Sequence, residues 1–375
     1  MRILLAAHRN DAPGIATVMR GLSVSLPGAI GRSDELLILG DRPPQPTPSA
    51  GVVERRTKSH RLDGRYGRFA YEQAGIPWMA RTADLVHMGD CRPLLASRRP
   101  FIVTIHDLFF LDVPHWQLPS VRGFKIAMLR AVIAKRPAAI VCVSEYTRSR
   151  LLVHVPAARE LTLRVVHPGL ATPGEPAAWT PEAPYFLTLS EVNPRKNLLT
   201  LLRAFQLARR RGLSLRWKIA GPRGFRSNSL VQALESADGV DVLGHVSDPM
   251  REALFRHAAF MAFPSHAEGF GLPPLEAMAR SVPTIRSAGT AMDETLGDGT
   301  LRVEPEDVRG WTEALLRLAS EDALRRELAS AGAAQASGFT LERMARAHVA
   351  LYREVLGDEA GAQCGSSEGD RSSDS

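Results

Sequence analysis

The alternation of short apolar runs with longer helical patterns constrains this chain more than any other sequence feature. Apolar runs bounded by turn residues predict buried strands at residues 1–7, 35–39, 85–88, 101–105, 140–143 and 162–166. A second series predicts strands at residues 185–189, 215–220, 240–243, 260–263, 284–285 and 301–303. Because strands that alternate with helices form parallel sheets, the sequence predicts an α/β fold with two doubly wound domains.

A segment rich in proline and glycine separates the two series, and its composition resists regular structure. We therefore predict a first domain over residues 1–170, a linker over 171–184 and a second domain over 185–338. Residues 339–356 predict a C-terminal helix that packs back toward the first domain. Residues 357–375 are almost devoid of apolar side chains, which predicts a disordered tail.

The net charge of +7 is concentrated in the N-terminal half of the chain. The densest positive run comprises Arg55, Arg56, Lys58, Arg61, Arg65 and Arg68. Such a run suits an anionic membrane surface or a phosphate-bearing acceptor, but it is equally typical of an ordinary solvated face. No nucleic-acid-binding motif accompanies the charge, so no nucleic-acid partner is expected.

No apolar run approaches the roughly 18 residues that a membrane-spanning helix needs. The three cysteines have no paired spacing, which argues against a disulfide framework. We expect a cytoplasmic protein, either free or peripheral on the inner face of the membrane.

The segment over residues 264–279 carries the strongest chemical pattern, because two glutamates flank a glycine loop and a helix start. Gly269 and Gly271 allow a close approach of the backbone to a ligand, and the free amides of a helix N-terminus suit a diphosphate. Glu268 and Glu276 can accept hydrogen bonds from vicinal hydroxyls of a sugar and a ribose. Alternatively, Glu276 only complements the helix N-terminus and Glu268 is a turn residue.

Two further positions follow predicted strands. Arg195 and Lys196 come after the strand at 185–189, where two cations could neutralise the charge on a leaving nucleoside diphosphate in place of a metal; the alternative is a basic helix surface. His106 ends the strand at 101–105 and is placed to reach the cleft between the domains. There, the alternative is that Asp107 merely caps the next element.

These motifs together resemble the large retaining glycosyltransferase family 4, and the likeness extends over roughly residues 1–356. The E-x7-E signature of that family matches Glu268 and Glu276, and its P-R-K-N motif matches residues 194–197. The similar T-I-H-D-L, V-S-E, A-G-P and G-H-V-S-D stretches lie at residues 104–108, 143–145, 220–222 and 244–248, and Glu294 also fits. The resemblance implies a GT-B fold, in which two Rossmann-like domains face a central cleft.

The resemblance also implies roles for individual residues. It implies a catalytic set of His106, Glu268, Arg195 and Lys196. It implies a donor-binding set of Gly14, Ser190, Arg195, Lys196, Val246, Gly269, Phe270, Gly271, Leu272 and Glu276. Gly14 belongs to a loop like the family's G-I-G, with Ala16 in place of the second glycine. No metal and no other cofactor is expected.

Family members with these T-I-H-D-L and P-R-K-N forms are often mannosyl- or rhamnosyltransferases of bacterial polysaccharide assembly. The resemblance therefore implies hexosyl transfer with retention from a nucleotide sugar, with GDP-mannose the first expectation. The acceptor stays open between a glycan, a lipid-linked glycan and a small molecule.

Three departures from the family pattern keep a second hypothesis open. The family usually has Gly at the positions of Ser190 and Ser281, and often Arg or Thr at that of Glu191. A carboxylate at Glu191 opposes diphosphate binding unless it is turned away or paired, for example with Arg195. The alternative function is therefore a non-catalytic GT-B partner that binds nucleotide sugar and stabilises another enzyme.

Overall fold

The computed structural model of the protein describes residues 1–7, 13–40, 52–56 and 65–357. Its strands are β1 (Arg2–Ala6), β2 (Glu35–Gly40), β3 (Val52–Arg56), β4 (Leu85–Met88), β5 (Phe101–Ile105), β6 (Ala139–Cys142), β7 (Leu163–Val165), β8 (Tyr185–Leu189), β9 (Arg216–Ala220), β10 (Val240–Gly244), β11 (Met261–Phe263), β12 (Thr284–Ser287) and β13 (Leu301–Val303). Its helices are α1 (Pro13–Ala29), α2 (Arg65–Met79), α3 (Phe109–Asp112), α4 (Pro119–Ala134), α5 (Glu145–His154), α6 (Leu198–Arg210), α7 (Asn228–Glu235), α8 (Asp248–His257), α9 (Leu272–Met278), α10 (Met292–Thr295), α11 (Val308–Ser320), α12 (Asp322–Ala336) and α13 (Leu341–Leu356).

The strands form two parallel sheets, which confirms the predicted doubly wound α/β class. The sheet of the first lobe has the order β3-β2-β1-β4-β5-β6-β7, and that of the second lobe has the order β10-β9-β8-β11-β12-β13. The strand order reverses at β1 and at β8, which pair with β2 and β4 and with β9 and β11. In such sheets, ligands bind beyond the carboxyl ends of the strands beside the reversal.

The core of the second lobe shows why the strands read as continuous apolar runs. Phe186 stacks on Trp217 and on Phe260, with ring centroids 5.7 and 5.2 Å apart. The buried Trp217 indole donates a hydrogen bond of 2.9 Å to the Thr188 hydroxyl. Helices cover both faces of a parallel sheet, so both faces must be apolar. Polar side chains are therefore displaced to the loops at the strand ends.

The strand β3 was missed by the sequence interpretation, which assigned Arg55 and Arg56 to a charged run. β3 pairs in parallel with β2 at the edge of the first sheet, with Val52 opposite Leu36. An edge strand tolerates charged side chains because one of its sides has no neighbouring strand. The arginines of β3 therefore resemble a charged surface run in the sequence, and the strand was not predicted. Arg65 and Arg68 lie on α2, and Lys58 and Arg61 lie outside the described residues.

The chain crosses from the first lobe to the second between β7 and β8, and returns at its end. Residues 171–184 form no helix or strand. Thr340 is the N-cap of the helix α13, and its side chain accepts a hydrogen bond from the Arg343 amide. Its buried Met344 and Val349 belong to the same apolar cluster as Ile3 of β1. Residues 358–375, which carry most of the predicted tail, lie outside the described residues.

A buried polar cluster fixes α13 to the first sheet. His87 of β4 has its Nδ1 2.7 Å from the Tyr352 hydroxyl of α13 and its Nε2 2.8 Å from the Thr104 hydroxyl of β5. Burial lowers the pKa of His87 well below its usual value, so the ring is neutral. Both ring nitrogens of the neutral imidazole are therefore paired.

We predict that Tyr352→Phe destabilises the protein, because it leaves Nδ1 of His87 buried without a partner. The loss should be about 1–3 kcal/mol and should lower the melting temperature in calorimetry by several degrees. The matched control is Ser320→Ala, which removes a hydroxyl bonded only to its own helix at the Leu316 carbonyl. Equal melting of Tyr352→Phe and Ser320→Ala would contradict the proposed role of the cluster.

Candidate active site

Two cations are held at the end of β8 by a short turn. The Asn193 side chain accepts a hydrogen bond from the Lys196 amide and so caps a 3-10 turn over Pro194–Lys196. Asn197 follows in the left-handed conformation, with φ of 55°, and its side-chain amide donates to the Pro305 carbonyl at 2.7 Å. These two asparagine side chains fix the turn that carries Arg195 and Lys196, whose side chains reach the loop after β11.

Both cations contact Glu268. The Lys196 Nζ lies 2.5 Å and an Arg195 guanidinium nitrogen 3.0 Å from the same carboxylate oxygen, Oε1. The Ser265 hydroxyl donates to that oxygen at 2.5 Å. The three charged side chains are only 9% (Lys196), 16% (Arg195) and 12% (Glu268) exposed. The structure therefore brings three of the four predicted catalytic residues into one ion cluster.

The pKa values of the cluster follow from its burial and its charges. Burial alone would raise the pKa of Glu268, but Lys196 and Arg195 lower it to about 2. Burial and the neighbouring Arg195 lower the pKa of Lys196, and Glu268 opposes that shift. Glu268 is thus ionised at neutral pH. Since the hydrogen bonds converge on Oε1, Oε2 has no hydrogen-bond partner among the described residues.

The backbone of His106, the fourth predicted catalytic residue, lies against the glycine loop that follows Glu268. Its Nε2 donates to the Gly89 carbonyl at 2.8 Å. A Cβ atom at residue 269 would lie 1.8 Å from the His106 carbonyl oxygen, so only glycine fits. The backbones of the two lobes therefore meet beside His106 and Glu268, the residues predicted to bind the donor sugar.

The predicted donor loop leads into α9. Gly271 has a φ of 94° at the N-cap of that helix, a left-handed conformation that favours glycine. The Phe270 side chain is buried and Leu272 is partly buried in apolar clusters. Any contact of Phe270 with a donor must therefore come from its backbone.

Glu276 lies on α9, is largely buried and has Arg251 beside it. The Arg251 guanidinium is 3.7 Å from the Glu276 carboxylate, and burial raises the pKa of Glu276. The Nε of Arg251 is buried without a hydrogen-bond partner among the described residues, as is the hydroxyl of Ser190. The sequence interpretation missed Arg251, although it follows the G-H-V-S-D motif by three positions. Buried polar groups without partners are typical of a ligand site.

The structure accounts for two of the departures from the family pattern. Glu191 makes no ion pair with Arg195; its carboxylate lies over Gly224, where a Cβ atom at residue 224 would be only 2.1 Å from Oε1. Ser281 is exposed and has a φ of 56°, so the family's glycine serves a turn after α9 rather than a ligand. The Ser281 departure therefore gives no support to a non-catalytic function, whereas the Glu191 carboxylate still acts on Lys196 and opposes the lowering of its pKa.

Two predicted donor-binding residues lie apart from the ion cluster. Val246 is partly buried at the loop before α8 and packs on the apolar core of the second lobe. Gly14 is exposed in the first turn of α1, with open space around it. The structure shows no contact between either residue and Glu268.

A set of hydrogen bonds that the sequence did not reveal joins the two lobes beside the donor loop. Glu294 of α10 accepts hydrogen bonds from the amides of Glu145 and Tyr146 at 2.8 and 2.9 Å, so it lies at the N-terminus of α5. The hydroxyls of Ser144 and Thr147 donate to the Gly269 carbonyl. A carboxylate is stabilised at a helix N-terminus by the free amides and the helix dipole.

Two ring contacts also join the lobes. The Arg195 guanidinium lies 4.8 Å from the ring centroid of Phe109 on α3. Trp116 of the first lobe stacks on His266 of the second, with centroids 4.8 Å apart. The His266 amide in turn donates to the Arg195 carbonyl. The cation loop of the second lobe thus packs directly on the first lobe.

The chain matches two family models that together span most of it. "Glycosyltransferase Family 4" matches residues 14–173, and "Glycosyl transferases group 1" matches residues 175–335. Sucrose-phosphate synthase from Thermosynechococcus elongatus has a similar fold, with a TM-score of 0.74, 19% identity and coverage of 95% of this chain and 99% of that chain. Two facing parallel lobes with this cleft define a GT-B glycosyltransferase. The chain belongs to glycosyltransferase family 4.

Similar curated proteins include two mannosyltransferases of Escherichia coli. The O-antigen chain mannosyltransferase B is 29% identical over 270 residues, which are 67% of this chain and 70% of that protein. The serotype-specific mannosyltransferase WbdA is 27% identical over 190 residues, 49% of this chain, and the match covers 23% of WbdA. Among the described residues, no helix is both long and apolar enough to cross a membrane.

We predict that Glu294→Ala loosens the contact between the lobes, because two amides of α5 lose their acceptor. The loss should be about 0.5–2 kcal/mol, as for other helix caps, and should increase the radius of gyration in small-angle X-ray scattering. Glu304→Ala, which removes an exposed partner of Arg302, is the control and should leave the scattering unchanged. Identical scattering from both variants would show that Glu294 does not hold the lobes together.

Proposed function

We propose that the protein transfers a mannosyl group from GDP-mannose to a glycan or lipid-linked acceptor, with retention at the anomeric carbon and without a metal ion. The observation that carries this proposal is the ion cluster at the cleft, where Glu268 holds Lys196 and Arg195 in fixed positions. The names of the similar mannosyltransferases support mannose as the sugar.

In this proposal, the cation pair binds the diphosphate of the donor. Negative charge develops on the leaving diphosphate as its bond to the anomeric carbon breaks, and fixed cations stabilise that charge without moving. Lys196 and Arg195 are already oriented by Glu268 and by the capped turn at Asn193. Two cations in this arrangement supply the charge that a metal ion supplies in other transferases.

The remaining polar groups of the site bind the sugar and the nucleoside of the donor. In this proposal, His106 and the free Oε2 of Glu268 bind hydroxyls of the sugar. Glu276 and Arg251 bind the nucleoside, with Glu276 on the ribose hydroxyls. The unpaired Ser190 hydroxyl provides a further hydrogen bond to the donor.

Retention follows if the acceptor attacks on the face from which the leaving group departs. The acceptor oxygen then bonds to the anomeric carbon as the bond to the diphosphate breaks, and the acceptor proton passes to the leaving diphosphate oxygen. The residues of the cluster orient and stabilise these groups, and none of them forms a covalent intermediate.

A lipid-linked acceptor would bring the first lobe to an anionic membrane surface. Arg55 and Arg56 at the end of β3, and Arg65 and Arg68 on α2, place basic residues on that lobe. Charge attraction to anionic headgroups would support such docking.

We predict that Lys196→Ala lowers kcat about 10²-fold or more, because it removes a cation whose contact strengthens as the diphosphate leaves. Glu276→Ala should instead raise the donor KM more than it lowers kcat, since ribose contacts are equal in ground and transition states. Both effects are measured as the rate of GDP release over a range of GDP-mannose concentrations.

The control for Lys196→Ala is Arg211→Ala, which removes an exposed cation of the same lobe that pairs with Glu313. It should keep the parental kcat. Melting curves of all variants establish that each one is folded. If Lys196→Ala keeps a near-parental kcat, the assigned diphosphate site is wrong.

A further inference from the structure

Each cation of the ion cluster lies over the ring of a phenylalanine, but the two rings belong to different lobes. The Lys196 ammonium is 4.8 Å from the ring centroid of Phe263 on β11, in the second lobe. The Arg195 guanidinium is 4.8 Å from the ring centroid of Phe109 on α3, in the first lobe. A cation within about 6 Å of a ring centroid is attracted by the negative face of the ring. Lys196 therefore contacts a ring of its own lobe, whereas Arg195 contacts a ring of the opposite lobe.

The hydrogen bonds of Arg195 within its own lobe hold only one corner of the guanidinium. Its Nη1 donates to the Ala267 carbonyl and, at 3.0 Å, to Oε1 of Glu268. Its Nε and Nη2 donate to no residue in the part of the chain that the structure describes. Because a group anchored at one nitrogen can still turn about that nitrogen, these hydrogen bonds do not fix the plane of the guanidinium.

The Phe109 ring supplies the constraint that the hydrogen bonds of Arg195 lack. A guanidinium stacks on an aromatic face, so the ring limits the planes that the Arg195 side chain can adopt. The edge that carries Nε and Nη2 is left for a ligand. Arginine frequently binds phosphate through two parallel N–H donors, and this edge offers such a pair.

The helix α3, which carries Phe109, is itself fixed by its neighbours. With four residues, it is too short to be stable without tertiary contacts. At its end, the Asp112 carboxylate accepts a hydrogen bond of 2.7 Å from Nε of Arg150 on α5. The Phe110 carbonyl accepts a hydrogen bond of 3.0 Å from Nε of Arg122 on α4. The ring at the start of α3 is thus held in place before any ligand binds.

The backbone of Arg195 is linked to the same segment of the first lobe. Trp116, which follows α3, stacks on His266 with ring centroids 4.8 Å apart. The His266 amide donates a hydrogen bond of 2.9 Å to the Arg195 carbonyl. Residues 109–116 therefore contact the side chain of Arg195 directly and its backbone through His266.

We propose that Phe109 is a positioning residue of the diphosphate site, whose ring holds the Arg195 guanidinium in the plane in which Nε and Nη2 reach the second phosphate of the donor. The inference rests on the proposed function in one respect, that Arg195 binds the donor diphosphate. Phe109 acts on the donor through Arg195 and not by direct contact. The first lobe thereby completes a site whose two cations both belong to the second lobe.

The test measures how much the second phosphate adds to binding, as the ratio of the Kd of GMP to the Kd of GDP. Titration calorimetry in excess EDTA gives this ratio for the full chain and for Phe109→Leu, Arg195→Ala and the double variant. A general loss of packing weakens both nucleotides alike and leaves the ratio unchanged. We expect Phe109→Leu to lower the ratio roughly 3- to 10-fold, as for the loss of a cation–π contact. In the Arg195→Ala background, Phe109→Leu should have no further effect.

Phe110→Leu is the matched control, because it truncates a buried ring of the same helix. The Phe110 and Phe109 rings both lie near Lys125, whose ammonium is 5.5 and 4.8 Å from their centroids. Phe110→Leu therefore shares the loss of packing and of the Lys125 contact, and differs in leaving the ring beside Arg195 intact. It should lower the melting temperature and keep the parental ratio.

A second variant preserves the shape of the ring and serves if Phe109→Leu does not fold. The replacement of Phe109 by pentafluorophenylalanine keeps an aromatic ring in place, but its fluorines withdraw the negative charge from the ring face that attracts a cation. We expect this replacement to lower the ratio as well, which a purely structural role of the ring does not predict.

The outcomes separate this inference from the proposed function. A parental ratio in Phe109→Leu or in the pentafluorophenylalanine variant would overturn the role of Phe109 and leave the diphosphate site in place. The same holds if Phe110→Leu lowers the ratio as much as Phe109→Leu does, or if Phe109→Leu acts equally with and without Arg195. Equal affinities of the parent for GMP and GDP, or a parental ratio in Arg195→Ala, would refute the diphosphate contact of Arg195 and the role of Phe109 with it.

Discussion

The structure of the cleft depends on one buried ion cluster, in which Glu268 lies between Lys196 and Arg195. A buried carboxylate is tolerated only when it is paired, and removing one partner of a buried pair typically costs about 3–5 kcal/mol. The cluster therefore fixes the loops after β8 and β11 relative to each other. It also keeps two cations oriented before any anion arrives, so little reorganisation is needed when charge develops on a leaving group.

The contacts between the lobes extend this constraint to the first lobe. Gly269 lies against the His106 carbonyl so closely that no side chain fits, and its own carbonyl accepts hydrogen bonds from Ser144 and Thr147. Glu294 holds the start of α5, the helix that also carries Tyr146.

The sequence predicted the two parallel sheets because buried strands must be apolar on both faces, and such runs are easy to detect. The sequence also indicated that Arg195, Lys196 and Glu268 lie at one edge of the second sheet, since they follow strands beside the point where the strand order reverses. The sequence did not reveal β3, because its arginines resemble a charged surface run. It also did not reveal Arg251, which is recognised only in the structure by its buried, unpaired Nε. The pairing of Glu294 with α5 joins elements of different lobes, which no local pattern reveals.

The central claim is that Lys196 and Arg195 bind the donor through its second phosphate without a metal ion. Calorimetric titration of the protein with GDP and with GMP, both in excess EDTA, tests this claim most directly. The account predicts that GDP binds at least about 10-fold more tightly than GMP, as expected for an additional charge-assisted contact. Equal affinities for the two nucleotides, or GDP binding that appears only when Mg²⁺ is restored, would contradict it.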